Sequence, residues 1–328
     1  MKNFATLLSL LFLLTNPLFS QTSDVDNLEI AIGGSFAKPK IIPGLEKLAV
    51  AQVTVNYKVT STAKTIDREK STGTTAGAKF TAYLETTDRA LNEGDFQEIT
   101  DYFYAYLQKK LKEANIDTVG WDAITSKTFY KNESEVQGKE KTEKNESVWM
   151  TSTAHRGNVL YGGNIAFAFG KIKKASQFSS ELGAVAGYFN LMVDFADLFV
   201  DLDINTSSSS NMYYSSTTEK KKYTWAVKPN MKVTPFPPNT GGFSLFWNDK
   251  NASESIFVKT DLAGFSGYAD AVTEDASKMK NSMWAFRKEM KPVIIETTTD
   301  KYKAAAKKAL SGQADRIASG WLAGPRSP

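Results

Sequence analysis

The sequence predicts a mixed α/β or α+β fold: an antiparallel-rich sheet with a long two-stranded ribbon, and helices packed on it. Three observations lead there. Apolar and polar residues alternate through 45–61, as a half-buried strand requires. Between Asp95 and Ala114 the apolar residues recur at helical spacing instead. The two patterns then intersperse to the end of the chain, and a Ser-rich break after residue 204 separates two β-rich runs.

Residues 1–20 read as a secretory signal peptide. Lys2 precedes an apolar run from Phe4 to Leu14, a polar break falls at Asn16-Pro17, and Ser20 supplies the small residue at the cut. The run is shorter than the ~20 residues a membrane helix needs, and no other stretch has that length or apolar purity. The remainder divides into an N-terminal part at 21–130, a charged loop or insertion at 131–147, and a C-terminal part at 148–328 that can form one domain with the first.

Val53, Val55, Tyr57 and Val59 form the apolar side of the first strand. Residues 62–78 read as a turn-rich connection and 79–87 as a second strand. Asp95, with Glu98 three residues on, reads as the N-cap of a helix. At about 100° per residue, Ile99, Tyr102, Phe103, Tyr106, Leu107, Leu111 and Ala114 share one face, with Tyr104 at its edge. The aromatic cluster is therefore expected to be core. A second helix is expected over 171–182, stopped by Gly183.

Residues 184–204 admit two readings. As a helix, Asn190, Asp194, Asp197 and Asp201 would form one acidic stripe. The β-branched and aromatic content favours a strand, with a slip in alternation near Ala196 of the kind a bulge produces. Its partner is 223–233, and together they make the ribbon. Shorter strands at 243–247 and 255–260, a helix near 271–288, a strand at 292–298 and a helix at about 300–319 complete the chain. The last helix is basic with a mostly alanine apolar face, so packing on the sheet is favoured over lying on a membrane.

Composition narrows the function classes. At 41% apolar and 12% aromatic the chain is globular rather than disordered. The signal peptide holds one Lys and no acid, so its removal takes the net charge from +4 to +3, too near neutral to imply nucleic acid. With no cysteine there is no thiolate nucleophile, Cys-based zinc site or iron–sulfur cluster. An exported chain without cysteine fits a bacterial envelope better than an animal extracellular space.

Asp194, Asp197, Asp201 and Asp203 are the sharpest candidate site, because clustered carboxylates suit Ca²⁺ or Mg²⁺. The competing reading is a solvated ribbon edge kept soluble by charge. Tyr213, Tyr214, Trp225 and Trp247 are candidate surface aromatics for contact or stacking. His155, the one histidine, falls in a polar run and reads as an exposed loop residue. STGTTAGAKF (71–80) lacks the Gly-Lys-Ser/Thr ending of a phosphate loop, and the Ser-x-x-Lys matches at 35–38 and 61–64 lack their companion motifs.

The order LAVAQVTVNY, DFQEITDYFYAYLQKKLKEANIDTV, SQFSSELGA and VAGYFNLMVDF, over residues 47–204, resembles the periplasmic α/β domain of curli-secretion-type (CsgG-like) envelope proteins. The chain departs from that family in lacking the lipobox cysteine and in the charged insertion. The resemblance implies an envelope-located α/β module for assembly or binding. The expected function is thus a non-catalytic binding or assembly module, exported to the periplasm, the outer membrane or beyond. Its partner would be an envelope protein or a surface glycan. The alternative is a secreted, glycan-directed hydrolase using paired carboxylates.

Overall fold

The computed structural model describes residues 28–32, 46–68, 75–132, 141–142, 147–160, 177–210, 215–236, 243–247, 253–258, 264–279 and 287–323. The expected signal peptide and most of the charged insertion lie outside them. The strands are β1 (Leu28–Ile32), β2 (Lys47–Arg68), β3 (Thr75–Thr86), β4 (Asp117–Thr118), β5 (Lys141–Thr142), β6 (Val148–Thr153), β7 (Val185–Ser210) and β8 (Ser215–Pro235). After these come β9 (Phe243–Phe246), β10 (Ser253–Val258), β11 (Ala271–Glu274), β12 (Arg287–Glu289) and β13 (Val293–Thr297). The helices are α1 (Glu93–Glu113), α2 (Trp121–Thr125), α3 (Thr128–Asn132), a short α4 at 177–182, and α5 (Thr299–Ala323).

The strands join in one sheet of order β1-β10-β9-β7-β2-β3-β13-β11, with β8 continuing from β7 and β6 lying beside β2. Pairing is mixed. β2 runs parallel to β7, and β3 parallel to β12 and β13, while the β2/β3, β7/β8 and β7/β9 pairs are antiparallel. The parallel contacts need crossovers, and α1 lies in the connection from β3 back across the sheet.

Both faces of the sheet are covered. Leu48, Val50, Val53, Val55 and Tyr57 of β2 join the larger core, with Phe96, Phe103, Leu107 and Leu111 of α1 and Tyr302, Ala306, Leu310 and Ile317 of α5. Ala49 and Ala51 face the other way, against Ile124, Tyr130, Phe178, Leu182 and Phe246. Pairing with β7 shifts register between Val50 and Gln52, which explains how Val50 and Val53, three apart, reach the same core. Beyond the shift, the polar residues Gln52, Thr54 and Asn56 are buried as well. Each finds a partner: Gln52 Nε2 donates to Thr54 and Asn190, Asn56 Nδ2 to the Leu191 carbonyl, and Thr151 to Asn56 Oδ1.

Several expectations need correcting. Residues 62–68 and 75–78 are strand, because β2 and β3 pair in register from Thr60↔Tyr83 to Arg68↔Thr75. Helix α1 starts earlier than expected. Asn92 is the N-cap and Asp95 is the third helical residue, the two closing a reciprocal capping box. The buried side of α1 is also rotated: Tyr104 is buried and Tyr102 is exposed. Tyr102 and Tyr106 turn toward α5 and hydrogen-bond Ser311 and Asp315. Residues 271–274 and 287–289 are strands, not helix, since β11 finds a partner in β13 and β12 in β3. Between them Asp275 caps a short 3-10 turn.

The Ser-rich break after residue 204 is also mostly strand, since β7 runs on to Ser210 and β8 begins at Ser215. Of the helix expected over 171–182, residues 177–182 are helical and 171–176 lie outside the described residues. The stop after α4 uses Gly183 at φ +58, a left-handed conformation that glycine adopts without penalty. Residues 184–204 are strand, and α5 packs along α1 and the sheet through its alanine-rich face.

Candidate binding ribbon

The β7/β8 ribbon carries most of the candidate residues, and its two faces differ because strand side chains alternate. Leu198, Val200 and Leu202 lie opposite Val227, Trp225 and Tyr223 on one face. That face rests on the body of the protein. The Trp225 ring sits 4.7 Å from Phe80 of β3, and Lys288 Nζ lies 4.6 Å above Tyr223. The other face carries Asp197, Phe199, Asp201 and Asp203 opposite Lys228, Ala226, Thr224 and Lys222. On this face β7 therefore carries three acids, and β8 carries Lys228 and Lys222 with Ala226 and Thr224 between them.

The ribbon is held firmly at its root. Register shifts between Asp194 and Ala196, where two β8 residues, Asn230 and Met231, oppose the single Phe195. The bulge falls where alternation slips in the sequence, but the extra residue belongs to β8. Pro229, which has no N–H to donate, stands opposite Ala196 at the same irregularity. Tyr268 Oη donates to the Phe195 carbonyl, and Met231 exchanges two backbone bonds of 3.0 Å with Phe265. Burial pushes the Tyr268 phenol well above its ordinary range, so it stays a neutral donor.

Each carboxylate has its own surroundings. Asp194 is buried and pairs with Lys58 of β2 at 2.5 Å. Asp197 accepts from Asn230 and Lys232. Partial burial pushes Asp197 up, but those two donors outweigh it and hold the carboxyl below the usual carboxylate range. Asp201 and Asp203 are exposed further along the strand. The four candidates are thus strung along β7, and among the described residues no three His, Asp or Glu side chains meet where they could hold a metal ion.

The candidate aromatics separate too. Tyr213 and Tyr214 lie outside the described residues. Trp225 is half-buried against Phe80, and Trp247 is only 7% exposed, a core residue beyond β9 rather than a surface one. Alternation in this region marks faces but cannot say which face finds a cover.

Two features went unnoticed in the sequence. Phe199 is 53% exposed in the middle of the charged face. Its odd register with Asp197 and Asp201 was the available signal. His155, exposed as expected, is packed against the rings of Tyr104 and Trp121 at 4.8 and 5.0 Å.

Among the described residues, no further strand pairs with the outer flank of β8 from Tyr223 to Lys228, nor with the free flank of β7 from Asp197 to Ile204. No helix described here is long and apolar enough to cross a membrane, a statement that says nothing about strands.

No family model matches the chain, and no solved structure matches it. One stretch of 43 residues is 49% identical to Toxin B of Clostridioides difficile, covering 13% of this chain and 2% of that protein.

Proposed function

We propose that this chain is an exported bacterial envelope protein that acts as a non-catalytic assembly module, joining its neighbour through the β7/β8 ribbon. One observation carries the reading: among the described residues neither flank of the ribbon pairs with a further strand, and the charges of the two flanks are opposite. Asp197, Asp201 and Asp203 stand on the β7 side, and Lys220, Lys222 and Lys228 on the β8 side. An open strand flank offers unpaired backbone groups to any approaching strand. A copy whose β8 lies beside another copy's β7 continues the antiparallel sheet and sets lysines beside acids. The reverse pairings, β7 to β7 or β8 to β8, put like charges together and are disfavoured.

Phe199 supplies the apolar anchor in such a contact, since a few buried aromatics carry most interface energy. The curli-secretion-type resemblance enters as part of the same proposal: β2, α1, α4 and β7 follow in the order it needs, with β2 and β7 as parallel neighbours.

Sedimentation of the full chain tests the reading. Concentration-dependent association is expected, weakening as salt rises from 50 to 500 mM, on the order of a tenfold affinity loss, because exposed charges are screened. Phe199→Ser, at a position already more than half exposed, is expected to weaken it further. A monomer at every concentration and salt would sink the proposal.

A further inference from the structure

The turn after β6 presents two adjacent residues in an unusual backbone. His155 and Arg156 have φ of 54° and 52°, both in the left-handed region and neither a glycine. Residues other than glycine adopt this conformation rarely, and two in succession are rarer still. Strain of this kind persists only where the surroundings enforce it, and such places cluster at binding and catalytic sites.

The enforcement is visible in named contacts. Asp101 Oδ1 of α1 accepts the His155 backbone N–H at 2.6 Å. Gly157 N–H donates to the Ala154 carbonyl at 2.9 Å, and Thr153 Oγ1 donates to the Gly157 carbonyl at 2.7 Å. Tyr130 Oη accepts the Asn158 N–H at 2.8 Å. Below the turn lie Tyr104, Trp121 and Tyr130, with Trp121 edge-on to both tyrosines.

The outcome is a rigid shelf. His155 and Arg156 are exposed at its rim, and the half-buried Trp121 floors it. The Asp101 carboxylate against the turn is engaged by the His155 N–H and by Gln97 Nε2 at 3.0 Å. Asp122 is exposed on α2, one residue beyond Trp121.

We propose that this turn binds an oxyanion, a carboxylate or phosphate group carried by a ligand. The Arg156 guanidinium fork would donate to two of its oxygens, the His155 imidazole N–H would add a third bond, and the Trp121 ring would cover the apolar part of the ligand. The site is separate from the ribbon and does not depend on assembly.

One histidine gives one set of imidazole signals in the proton spectrum of the full chain, which makes the test direct. Inorganic phosphate and acetate are titrated separately at one pH, with ionic strength held constant by chloride. A saturable shift of the His155 signals with at least one of them is expected, and the stronger of the two names the group recognised. Arg156→Gly removes the fork and relieves the left-handed strain. It is expected to fold at least as stably, with a higher melting temperature, and to weaken binding at least tenfold. Arg156→Lys keeps the charge without the fork and is expected to weaken it severalfold. Shifts that are linear in anion, or titrations that coincide in the parent and Arg156→Gly, would overturn the proposal.

Discussion

Gly157 has no room for a side chain: a Cβ there would lie 2.6 Å from both Trp121 and the Tyr130 hydroxyl. Gly157→Ala is expected to cost about 2 kcal/mol, the usual scale of overpacking, measured by urea denaturation. An unchanged midpoint would show that the two rings can yield. Gln313 is the opposite case. It is fully buried on α5, and both its amide atoms lack a hydrogen-bond partner among the described residues. Gln313→Leu removes that desolvation penalty and is expected to stabilise by about 1–2 kcal/mol, a gain that a melting curve would detect or deny. Neither residue announces itself in the sequence. The same holds for Tyr102 and Tyr104. Helical spacing found the apolar side of α1, but the placement of α5 against Tyr102, and of Trp121 and His155 against Tyr104, decided which tyrosine is buried.

Helix α5 is clasped to the body by carboxylates. Asp88 accepts the Thr299 N–H at the helix start. Glu98 of α1 holds both Lys303 and Lys307, while the Arg89 guanidinium grips Asp95 through two bonds of 2.6 Å. These partners hold all three carboxyls below their usual range: the Thr299 N–H for Asp88, Arg89 for Asp95, Lys303 for Glu98. A carboxyl depressed on folding adds stability above its unfolded pKa, and the contribution disappears as pH falls through the folded one. The urea midpoint is therefore expected to hold near neutrality and drop below about pH 4, the ordinary carboxylate range. Glu98→Gln should flatten that drop, and an identical acid profile in the variant would remove Glu98 from the clasp. Among the elements, the first part of β2 was legible from its two-residue period, whereas β7 also admitted a helix and was decided by its β-branched and aromatic content. The segment 271–288 was not legible. At 271–274 and 287–289 a local preference for helix lost to the backbone pairing that β13 and β3 offer, and 280–286 lie outside the described residues.

At the scale of the whole molecule, the mixture of helices and strands was readable from periodicity, and the ribbon from periodicity together with β-branched and aromatic content. The mixed, partly parallel sheet order was not, because parallel pairing leaves no mark on alternation. The acidic residues of β7 were found with two readings, a common site or a charged ribbon edge, and the strand distributes them along its length, with Asp194 bound to Lys58 and Asp197 to Lys232. What those residues do together depends on the lysines across the ribbon, which only the register reveals. If the ribbon joins copies, shortening it should leave the body folded and abolish assembly.

Native mass spectrometry of two full-length proteins measures this most directly: the parent, and a variant in which residues 201–224 are replaced by Asn-Gly, a turn that suits the cross-strand pair Val200 and Trp225. A defined oligomer for the parent and a folded monomer for the shortened variant are expected. The same mass distribution for both, whether monomer or oligomer, would contradict assembly through the ribbon.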